Sequence, residues 1–393
     1  MSKNTPVIVS AKRTPIGRFL GGLSRVPAAD LGSMAVKAVL DDAPAAREHI
    51  DELIMGCVLQ AGVGQNPARQ AGLKAGLGND LVAFTVNKVC GSSLKAAILA
   101  AQAIKAGDAE CVLAGGMESM SLAPHLAYVR NGLKFGDGQL VDHMRYDGLH
   151  CAFCDWGMGN AAEHIAKKHG VTREDQDRYS ERSHRLAAKA TEKGWYREEI
   201  VPIPAADAKQ KQDITQDEGI REDTTAEKLA GLRPAFEKEG SVTAGNASQI
   251  SDGAAAVLIM TEAKAESLGL EPLARIVSYH THGVEPKELF IAPVEAVRTC
   301  ARKGGAELGD VDLFEINEAF AAQVLADLKG LEINEDQVNV TGGGIALGHP
   351  IGASGARVLT TLVHQMRRLD KKRGIASLCL GGGNAVAMMI ERD

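Results

Sequence analysis

From Leu81 to Ala101 the chain has the sequence LVAFTVNKVCGSSLKAAILAA. Its first six residues are apolar or β-branched and predict a strand, and the alanine-rich residues after the turn predict a helix that runs to Gly107. Cys90 therefore falls at a strand-to-helix turn, where Gly91 allows a close backbone approach. A thiol at the start of a helix lies at the positive end of its dipole, which favours the nucleophilic thiolate. The alternative is a small buried apolar residue, and position alone leaves both open.

The overall composition is that of a globular protein with more than one packed unit. The chain has 393 residues, of which 45% are hydrophobic and 24% charged, so roughly 100–200 residues per domain predict two or three units. The net charge is −6, no long basic run is present and aromatic residues make up 4%, which argues against a nucleic-acid partner. No run approaches the ~18 consecutive apolar residues of a membrane-spanning helix, so no membrane association is expected.

The cysteines and the first residues predict the compartment. Seven cysteines, an odd number scattered along the chain, argue against a disulfide framework and for a reducing environment. Residues Met1–Pro6 lack the apolar core of a signal peptide, so a cytoplasmic protein is expected. Cys151 and Cys154 form a C-x-x-C pair that could indicate metal or redox chemistry. Since no second pair accompanies them, packing of a loop is the preferred interpretation.

Predicted strands and helices alternate along the first part of the chain, which is typical of a layered α/β unit. Strands are predicted over 6–10, 52–57, 81–86 and 110–114, and helices over 28–40, 66–76 and 92–107. Polar segments from about residue 117 to 244 predict an insertion, including a charge-rich helix over 172–193, and residues 250–260 predict a buried strand that returns to the first sheet. The predicted domains are 1–120 plus 245–270, an inserted loop domain at 121–244, and 271–393.

The second part of the chain repeats the order of the first. Cys90 follows Leu53 by 37 residues (90 − 53), and His349 follows Leu313 by 36 (349 − 313). The predicted strand that ends at Gly115-Gly116 has a counterpart over 376–380. This spacing predicts two similar halves whose loops meet at one shared site.

Three stretches near the end of the chain are rich in chemical groups: INEAFA at Ile316–Ala321, GGGIALGHPIGASG at Gly342–Gly355, and SLCLGGGN at Ser377–Asn384. Each stretch alone is weak evidence for an active site, because a single histidine or cysteine is more often structural and neither glycine run has the ending of a phosphate-binding loop. Their occurrence together with Cys90, in this order, is what predicts an active site.

This combination resembles the thiolase family of acyl-CoA C-acyltransferases over essentially the whole chain, and most closely its bacterial acetyl-CoA acetyltransferase type. Other matching stretches are Gly64–Gln70, Gly115–Ser121, Thr243–Ser248 and Ile390–Arg392. The resemblance implies the α/β thiolase fold, with two duplicated halves in five layers (αβαβα) and an inserted domain that binds coenzyme A. It also implies a homotetramer, with the segment His125–Leu149 joining two dimers.

The resemblance further implies a two-step ping-pong reaction. Cys90 would carry the acyl group as a thioester, His349 would take the thiol proton, and Cys379 would move the proton at the α-carbon of the second acyl-CoA. Asn317, through a water, would form one oxyanion hole with His349. The backbone amides of Cys90 and Gly381 would form the other.

By the same resemblance, Ser248 would contact the pantetheine arm and Arg221 the adenine end of coenzyme A. Met158, Ala319 and Phe320 would shape the acyl pocket. Acyl-CoA and CoA are then the binding partners and substrates, and neither a separate cofactor nor a metal is implied.

Several residues depart from the acetoacetyl-type pattern. Gly157 stands where that group has histidine, and Leu289–Pro293 replaces a glycine-containing stretch. The other departures are Asn160, His164, Gln249 and Asn384-Ala385. Most surround the expected pockets, so a broader-chain 3-ketoacyl-CoA thiolase of fatty-acid degradation is the alternative, and the direction of the reaction stays open.

Other classes of protein fit the sequence less well. A ketoacyl synthase has a Cys-His-His set, whereas this chain has Cys379, and a nicotinamide dehydrogenase would need G-x-G-x-x-G after its first strand. A non-catalytic thiolase-like scaffold would be expected to have lost Cys90, His349 or Cys379.

Overall fold

The computed structural model describes residues 4–393; the first three residues of the predicted domain 1–120, and of the segment Met1–Pro6 considered for a signal peptide, lie outside the described range. The strands are β1 Pro6–Arg13, β2 Gly17–Arg18, β3 Glu52–Gly56, β4 Val82–Val86, β5 Cys111–Ser119, β6 His125–Leu126, β7 Val141–Asp142, β8 His150–Cys151, β9 Trp156–Gly157, β10 Ser251–Thr261, β11 Ala274–Gly283, β12 Leu313–Ile316, β13 Arg373–Leu380 and β14 Asn384–Glu391. The helices are α1 Ala28–Asp42, α2 Pro67–Lys74, α3 Ser92–Ala106, α4 Met158–His169, α5 Arg173–Glu192, α6 Ala205–Ala208, α7 Ala226–Ala230, α8 Glu262–Ser267, α9 Ala292–Lys303, α10 Ala321–Leu331, α11 Gly344–Leu347 and α12 Ser354–Arg368.

The strands of the two halves follow the same order and direction. In the first half the order is β4-β3-β5-β10-β1, with parallel pairs among β4, β3 and β5 and antiparallel pairs from β5 onward. In the second half the order is β12-β13-β14-β11, and Val338 forms a parallel bridge to Phe314 in the place of β4. β12 and β13 are parallel, and the pairs β13–β14 and β14–β11 are antiparallel. The predicted duplication is confirmed.

The halves are joined at the sheet and through two central helices. β1 pairs with β11 at Val7 and Ile8. α3 and α12 pack against each other, α3 against β5 and β3, and α12 against β13 and also β10. α1 lies against β10 and β5, and α9 against β14 and β11. These contacts give the order helix, sheet, central helices, sheet, helix, which is the predicted five-layer arrangement.

The central helices come very close because one contact position is glycine. A Cβ on Gly355 would overlap the backbone nitrogen of Leu94. The backbone amide of Ala356 donates to Ser93 Oγ at 2.8 Å, which ties the first turns of the two helices. Both helices begin shortly after a predicted catalytic residue, so this contact brings the two halves of the site together.

The segment between β5 and β10 carries helices α4–α7 and the short hairpins β6–β7 and β8–β9. The predicted charge-rich helix is α5, which begins at a capping box formed by Thr172 and Asp175. Along His125–Leu149 several large apolar side chains are exposed, among them Tyr128, Leu133 and Phe135. The predicted domain limits stay a prediction. No helix within residues 4–393 is both long and apolar enough to cross a membrane.

The strand predicted over 110–114 was too short. β5 continues through both glycines to Ser119. A Cβ on Gly116 would overlap the carbonyl oxygen of Gly352, so the strand passes directly beneath the loop that follows His349. Gly116 serves this close packing, Gly115 packs against the carbonyl of Ala255 in β10, and neither ends the strand.

Candidate active site

Cys90 follows a strained residue in the turn between β4 and α3. Val89 has φ +47°, a left-handed conformation that is an outlier for a β-branched side chain and costs on the order of 1–3 kcal/mol. Ser92 holds the turn, because its Oγ accepts from the Lys88 amide at 2.8 Å and donates to the Val89 carbonyl at 2.6 Å. The strain is thus stored next to the predicted nucleophile.

The environment of Cys90 favours the thiol over the thiolate. Burial raises the pKa of the Cys90 thiol to about 11, and the charge of Glu118 acts in the same direction. The backbone amides of Gly381 and of Cys90 itself oppose this rise. The expectation that the start of the helix favours thiolate was wrong, because desolvation outweighs the amide contacts. Cys90 therefore requires a base.

Gly91 makes room for the other half of the chain. A Cβ at this position would overlap Leu380 Cδ2, which lies between Cys379 and Gly381. The glycine therefore makes room for side chains of the second half. The sequence had predicted a close approach of backbone at this position. In this way Cys90 meets the end of β13.

The hydrogen bonds of His349 define its tautomer. Ser354 Oγ donates to the carbonyl of Pro350 at 2.9 Å and lies 2.6 Å from His349 Nδ1. Since the hydroxyl proton is directed to Pro350, Oγ accepts from Nδ1–H, and Nε2 keeps a lone pair. Burial and the charge of Arg357 lower the pKa of His349 to about 3. The neutral imidazole therefore presents a proton acceptor at Nε2.

Asn317 lies beside that acceptor. Its Nδ2 is 3.4 Å from His349 Nε2, and its Oδ1 accepts from Arg357 Nη2 at 3.3 Å. The backbone amide of Asn317 donates to the backbone carbonyl of Ser377 at 2.9 Å, which places Asn317 at the same sheet edge as the end of β13. Asn317 and His349 are therefore brought together, as predicted for the two residues of one oxyanion hole.

Cys379 is the last but one residue of β13 and is buried. Burial raises the pKa of Cys379 well above its usual value, and the neighbouring Cys90 contributes. A Cβ on Gly381 would lie 3.4 Å from Val89 Cγ1, so the loop after β13 packs onto the turn that carries Cys90. The structure thus brings both thiols and the Gly381 amide into one place.

Three of the predicted binding residues are neighbours. The Ser248 amide donates to the carbonyl of Ala319 at 3.0 Å, and Ala247 forms an antiparallel bridge with Phe320. The Phe320 ring meets the Phe290 ring edge-on, with 5.5 Å between the centroids. Phe290, which departs from the acetoacetyl-type pattern, therefore packs directly against Phe320, a predicted residue of the acyl pocket.

The other two predicted binding residues are Met158, which packs on the same hydrophobic cluster as Ala319 and Phe320, and Arg221. Met158 begins α4 and packs against the main hydrophobic core. Arg221 is exposed, and its backbone amide donates to His184 Nδ1 at 3.1 Å. A hydrogen bond joins the segment before Arg221 to the residue after Ser248: Gln249 Nε2 donates to the carbonyl of Gly219 at 2.8 Å.

The C-x-x-C pair lies on the β8–β9 hairpin. All seven cysteines are free, and in residues 4–393 no third histidine, cysteine or carboxylate joins this pair as a potential metal ligand. A Cβ placed on Gly382 would lie 3.5 Å from the Phe153 ring, so the hairpin covers the glycine loop after β13. This contact favours the interpretation as loop packing.

Two family models match the chain in succession. The model for the thiolase N-terminal domain matches residues 6–263, and the model for the thiolase C-terminal domain matches residues 270–392. The chain belongs to the thiolase family.

Similar proteins match this thiolase over its whole length. The acetyl-CoA acetyltransferase of Escherichia coli K12 is 54% identical over 388 residues, which are 98% of both chains. That of Rhizobium meliloti strain 1021 is 50% identical over 392 residues, 100% of both. The solved structure of acetyl-CoA acetyltransferase from Syntrophomonas wolfei has a TM-score of 0.97 at 40% identity and covers 100% of both chains. That from Bacillus anthracis has a TM-score of 0.95 at 42% identity and 98% coverage of both. The predicted thiolase fold is confirmed.

A buried carboxylate that the sequence analysis left without a role joins the two halves of the thiolase. Glu118 accepts from the backbone amides of Val58 and Leu59, each at 3.1 Å, and of Gly352 at 2.8 Å. Burial raises the pKa of Glu118 to about 7. A glutamate inside the apolar stretch Gly115–Ser121 was the available signal, because a buried carboxylate requires such partners.

Glu318 plays a comparable part between the inserted segment and the site. Its carboxylate accepts from Tyr179 at 3.0 Å, Ser183 at 2.7 Å, Asn339 at 2.9 Å and the Ile345 amide at 3.1 Å. These donors connect α5 with the loop that leads to His349. The acidic residue next to Asn317 in the sequence thus fixes the loops around it.

Proposed function

We propose that this chain is an acetyl-CoA C-acetyltransferase, which condenses two acetyl-CoA molecules to acetoacetyl-CoA and CoA and catalyses the reverse thiolysis. The convergence of Cys90, Cys379, His349 and Asn317 in a full-length thiolase carries the proposal. The relatives named acetyl-CoA acetyltransferase, at 50–54% identity, support the choice of acyl group.

In the first half-reaction Cys90 Sγ attacks the thioester carbonyl of acetyl-CoA. His349 Nε2 takes the thiol proton during the attack, because neither the thiolate nor the imidazolium is favoured in the resting site. The carbon–sulfur bond to CoA then breaks, and the CoA sulfur takes a proton from the Cys379 thiol, which leaves Cys379 as thiolate and His349 protonated at Nε2. The products are acetyl-Cys90 and CoA.

In the second half-reaction Cys379, as thiolate, removes a proton from the methyl group of a second acetyl-CoA. The resulting carbanion attacks the carbonyl of acetyl-Cys90, a carbon–carbon bond forms and the bond to Cys90 Sγ breaks. The Cys90 sulfur leaves and is reprotonated from His349 Nε2, Cys379 keeps the proton that it removed, and acetoacetyl-CoA is released. In thiolysis the same steps run in reverse.

Negative charge develops on a thioester oxygen in both half-reactions and needs preorganised donors. The amides of Cys90 and Gly381, which already face the Cys90 sulfur, are proposed to hold the oxygen of the acyl-enzyme. Asn317, through a water, and His349, which carries the proton from Cys90 on Nε2 during this half-reaction, are proposed to hold the oxygen of the second acetyl-CoA.

Incubation with radiolabelled acetyl-CoA tests the first half-reaction directly. We expect about one acetyl group per chain on wild type and on the matched variant Cys300→Ala, whose buried thiol contacts Ser278 away from the site. Cys90→Ala should take up none. Labelling and acetoacetyl-CoA thiolysis no higher in wild type than in Cys90→Ala would contradict the proposal and support the non-catalytic scaffold.

A broader-chain 3-ketoacyl-CoA thiolase is the second candidate. Phe290, which departs from the acetoacetyl-type pattern, packs against Phe320, and Gly157 leaves the position before Met158 without a side chain. Thiolysis rates against 3-ketoacyl-CoA chain length separate the two candidates. Activity confined to acetoacetyl-CoA supports the first, and a maximum at longer chains supports the second.

The same proposal includes binding of coenzyme A at the inserted segment, with Ser248 at the pantetheine arm and Arg221 at the adenine end. It also includes a homotetramer, supported by the exposed apolar side chains of His125–Leu149, and a cytoplasmic location, supported by seven free cysteines. A role in lipid metabolism follows from the proposed substrates. Sedimentation velocity tests the tetramer, and deletion of the exposed part of His125–Leu149 should yield dimers.

A further inference from the structure

A buried arginine, Arg357, lies directly behind the predicted oxyanion donor. It belongs to the first turn of α12 and is 2% exposed. Its Nη2 donates to Asn317 Oδ1 at 3.3 Å, and its Nη1 lies 3.6 Å from Glu315 Oε2. Glu315 is the next residue but one before Asn317, so the arginine spans the end of β12. Its Nε and Nη1 have no hydrogen-bond partner among residues 4–393.

This contact decides which way the Asn317 carboxamide faces. A guanidinium has only donors, so it accepts no bond from the amide nitrogen and fixes the amide oxygen on its own side. The amide nitrogen then points to the other side, where His349 Nε2 lies 3.4 Å away. Without Arg357 the carboxamide could turn over and present its oxygen to the imidazole.

Among residues 4–393 no carboxylate is hydrogen-bonded to the Arg357 guanidinium. Burial raises the pKa of Glu315 to about 8, so this carboxyl is largely protonated at pH 7. The other charged groups near Arg357 are Arg13, Glu199 and Glu318. Glu199 pairs with Arg13 at 2.7 Å, and Glu318 accepts from the neutral donors described above. The charge directly behind Asn317 is therefore that of the Arg357 guanidinium, and the carboxylates around it bond to other groups.

That charge acts on the predicted base. Arg357 is the nearby charge that, after burial, lowers the pKa of His349. It is also placed to stabilise negative charge held by the donors of Asn317 and His349. Both effects come from a side chain that does not itself reach the reacting atoms.

We propose that Arg357 is a positioning residue of the reaction, which orients the Asn317 carboxamide by a hydrogen bond and faces His349 with a buried positive charge. This inference rests on the proposed function for the roles of Asn317 and His349. It differs from a purely structural salt bridge to Glu315, which would affect folding only.

The test compares Arg357→Met, Arg357→Lys and the control Arg298→Met, whose arginine binds the carbonyl of Gly330 in the same half but touches none of the predicted catalytic residues. For Arg357→Met we expect kcat of acetoacetyl-CoA thiolysis to fall about 10²-fold, the effect of losing one oxyanion donor, with KM changed less than about twofold. For Arg357→Lys we expect a similar fall, because the ammonium lacks the reach and the fixed geometry of the guanidinium.

NMR of ¹⁵N-labelled histidine provides a second measurement that needs no turnover. Loss of the charge raises the pKa of His349. The imidazole of His349 should then titrate about one pH unit higher in Arg357→Met than in wild type, and as in wild type in Arg357→Lys and Arg298→Met.

The outcomes separate the two proposals. Wild-type kcat in folded Arg357→Met or Arg357→Lys, or a wild-type titration of His349 in Arg357→Met, would overturn the role of Arg357. If Arg357→Met does not fold, kcat of Arg357→Lys decides the question alone. A wild-type protein without thiolysis would overturn the proposed function, and the titration of His349 would still test the charge.

Discussion

At the scale of single residues, the site is defined by which atom holds each proton. Ser354 donates to the carbonyl of Pro350, accepts from His349 Nδ1, and so leaves His349 Nε2 unprotonated. Cys90 remains a thiol because burial raises its pKa. The resting pair is therefore neutral, and proton transfer accompanies the attack on the thioester.

Replacing Ser354 tests the assignment of the tautomer. Without the hydroxyl, His349 Nδ1–H loses its acceptor and the other tautomer, with the proton on Nε2, becomes accessible. We expect Ser354→Ala to lower kcat/KM for thiolysis by about 10²-fold, within the usual contribution of general base catalysis. Ser354→Thr, which keeps the hydroxyl, should retain more activity than Ser354→Ala. Equal loss in both variants would contradict the assignment.

The raised pKa of Cys90 predicts a particular pH dependence of alkylation. Because the thiol ionises only near pH 11, the iodoacetamide rate of free wild-type enzyme should rise continuously from pH 7 to pH 10, about tenfold per unit. Alkylation at Cys90 is followed by the loss of acetyl labelling when the treated enzyme is incubated with radiolabelled acetyl-CoA. A rate that levels off below pH 8 would contradict a thiol that is neutral in the resting enzyme.

At the scale of elements, the strand-to-helix turn and its helix could be predicted from sequence. The apolar run before Cys90 and the alanine-rich run after it indicated β4 and α3 correctly, because local periodicity and propensity govern such elements. The local pattern could not give the pKa of Cys90, since the desolvation comes from chain segments distant in sequence. Neither could it give Arg357, which acquires its role only when α12 packs against the end of β12.

The close contact of α3 and α12 predicts the effect of one methyl group. Gly355→Ala would place a Cβ against the Leu94 backbone nitrogen, and overpacking of this kind costs about 1–3 kcal/mol. We expect a lower urea midpoint and a lower kcat, because the shift separates Cys90 from His349. The control Gly309→Ala, where a Cβ meets nothing within 4 Å, should leave both unchanged. An unchanged urea midpoint for Gly355→Ala would contradict the close packing.

At the scale of the whole molecule, buried carboxyls couple stability to pH. The pKa of Glu315 is about 8 in the folded chain against 4.5 as its ordinary value. Between these values the folded state holds a proton that the unfolded state has released, so the free energy of unfolding falls as pH rises. Glu118 acts in the same direction up to about pH 7.

Glu315→Gln should therefore flatten this dependence. We expect the free energy of unfolding of wild type, measured by urea titration, to fall from pH 5 to pH 8, and the fall to be smaller in Glu315→Gln by up to about 1.4 kcal/mol per pH unit. Glu48→Gln, at an exposed position, serves as the control and should follow wild type. Parallel curves for wild type and Glu315→Gln would show that Glu315 is ionised in the folded chain.

The pairing of β1 has a consequence for the synthesis of the protein. Its neighbours in the sheet, β10 and β11, begin at Ser251 and Ala274, although β1 itself ends at Arg13. At a translation rate of roughly 5–20 residues per second, the ribosome needs about 10–50 s to make the chain between them. The first strand to leave the ribosome is thus one of the last to find its partners, and its apolar residues are open to chaperones throughout that interval.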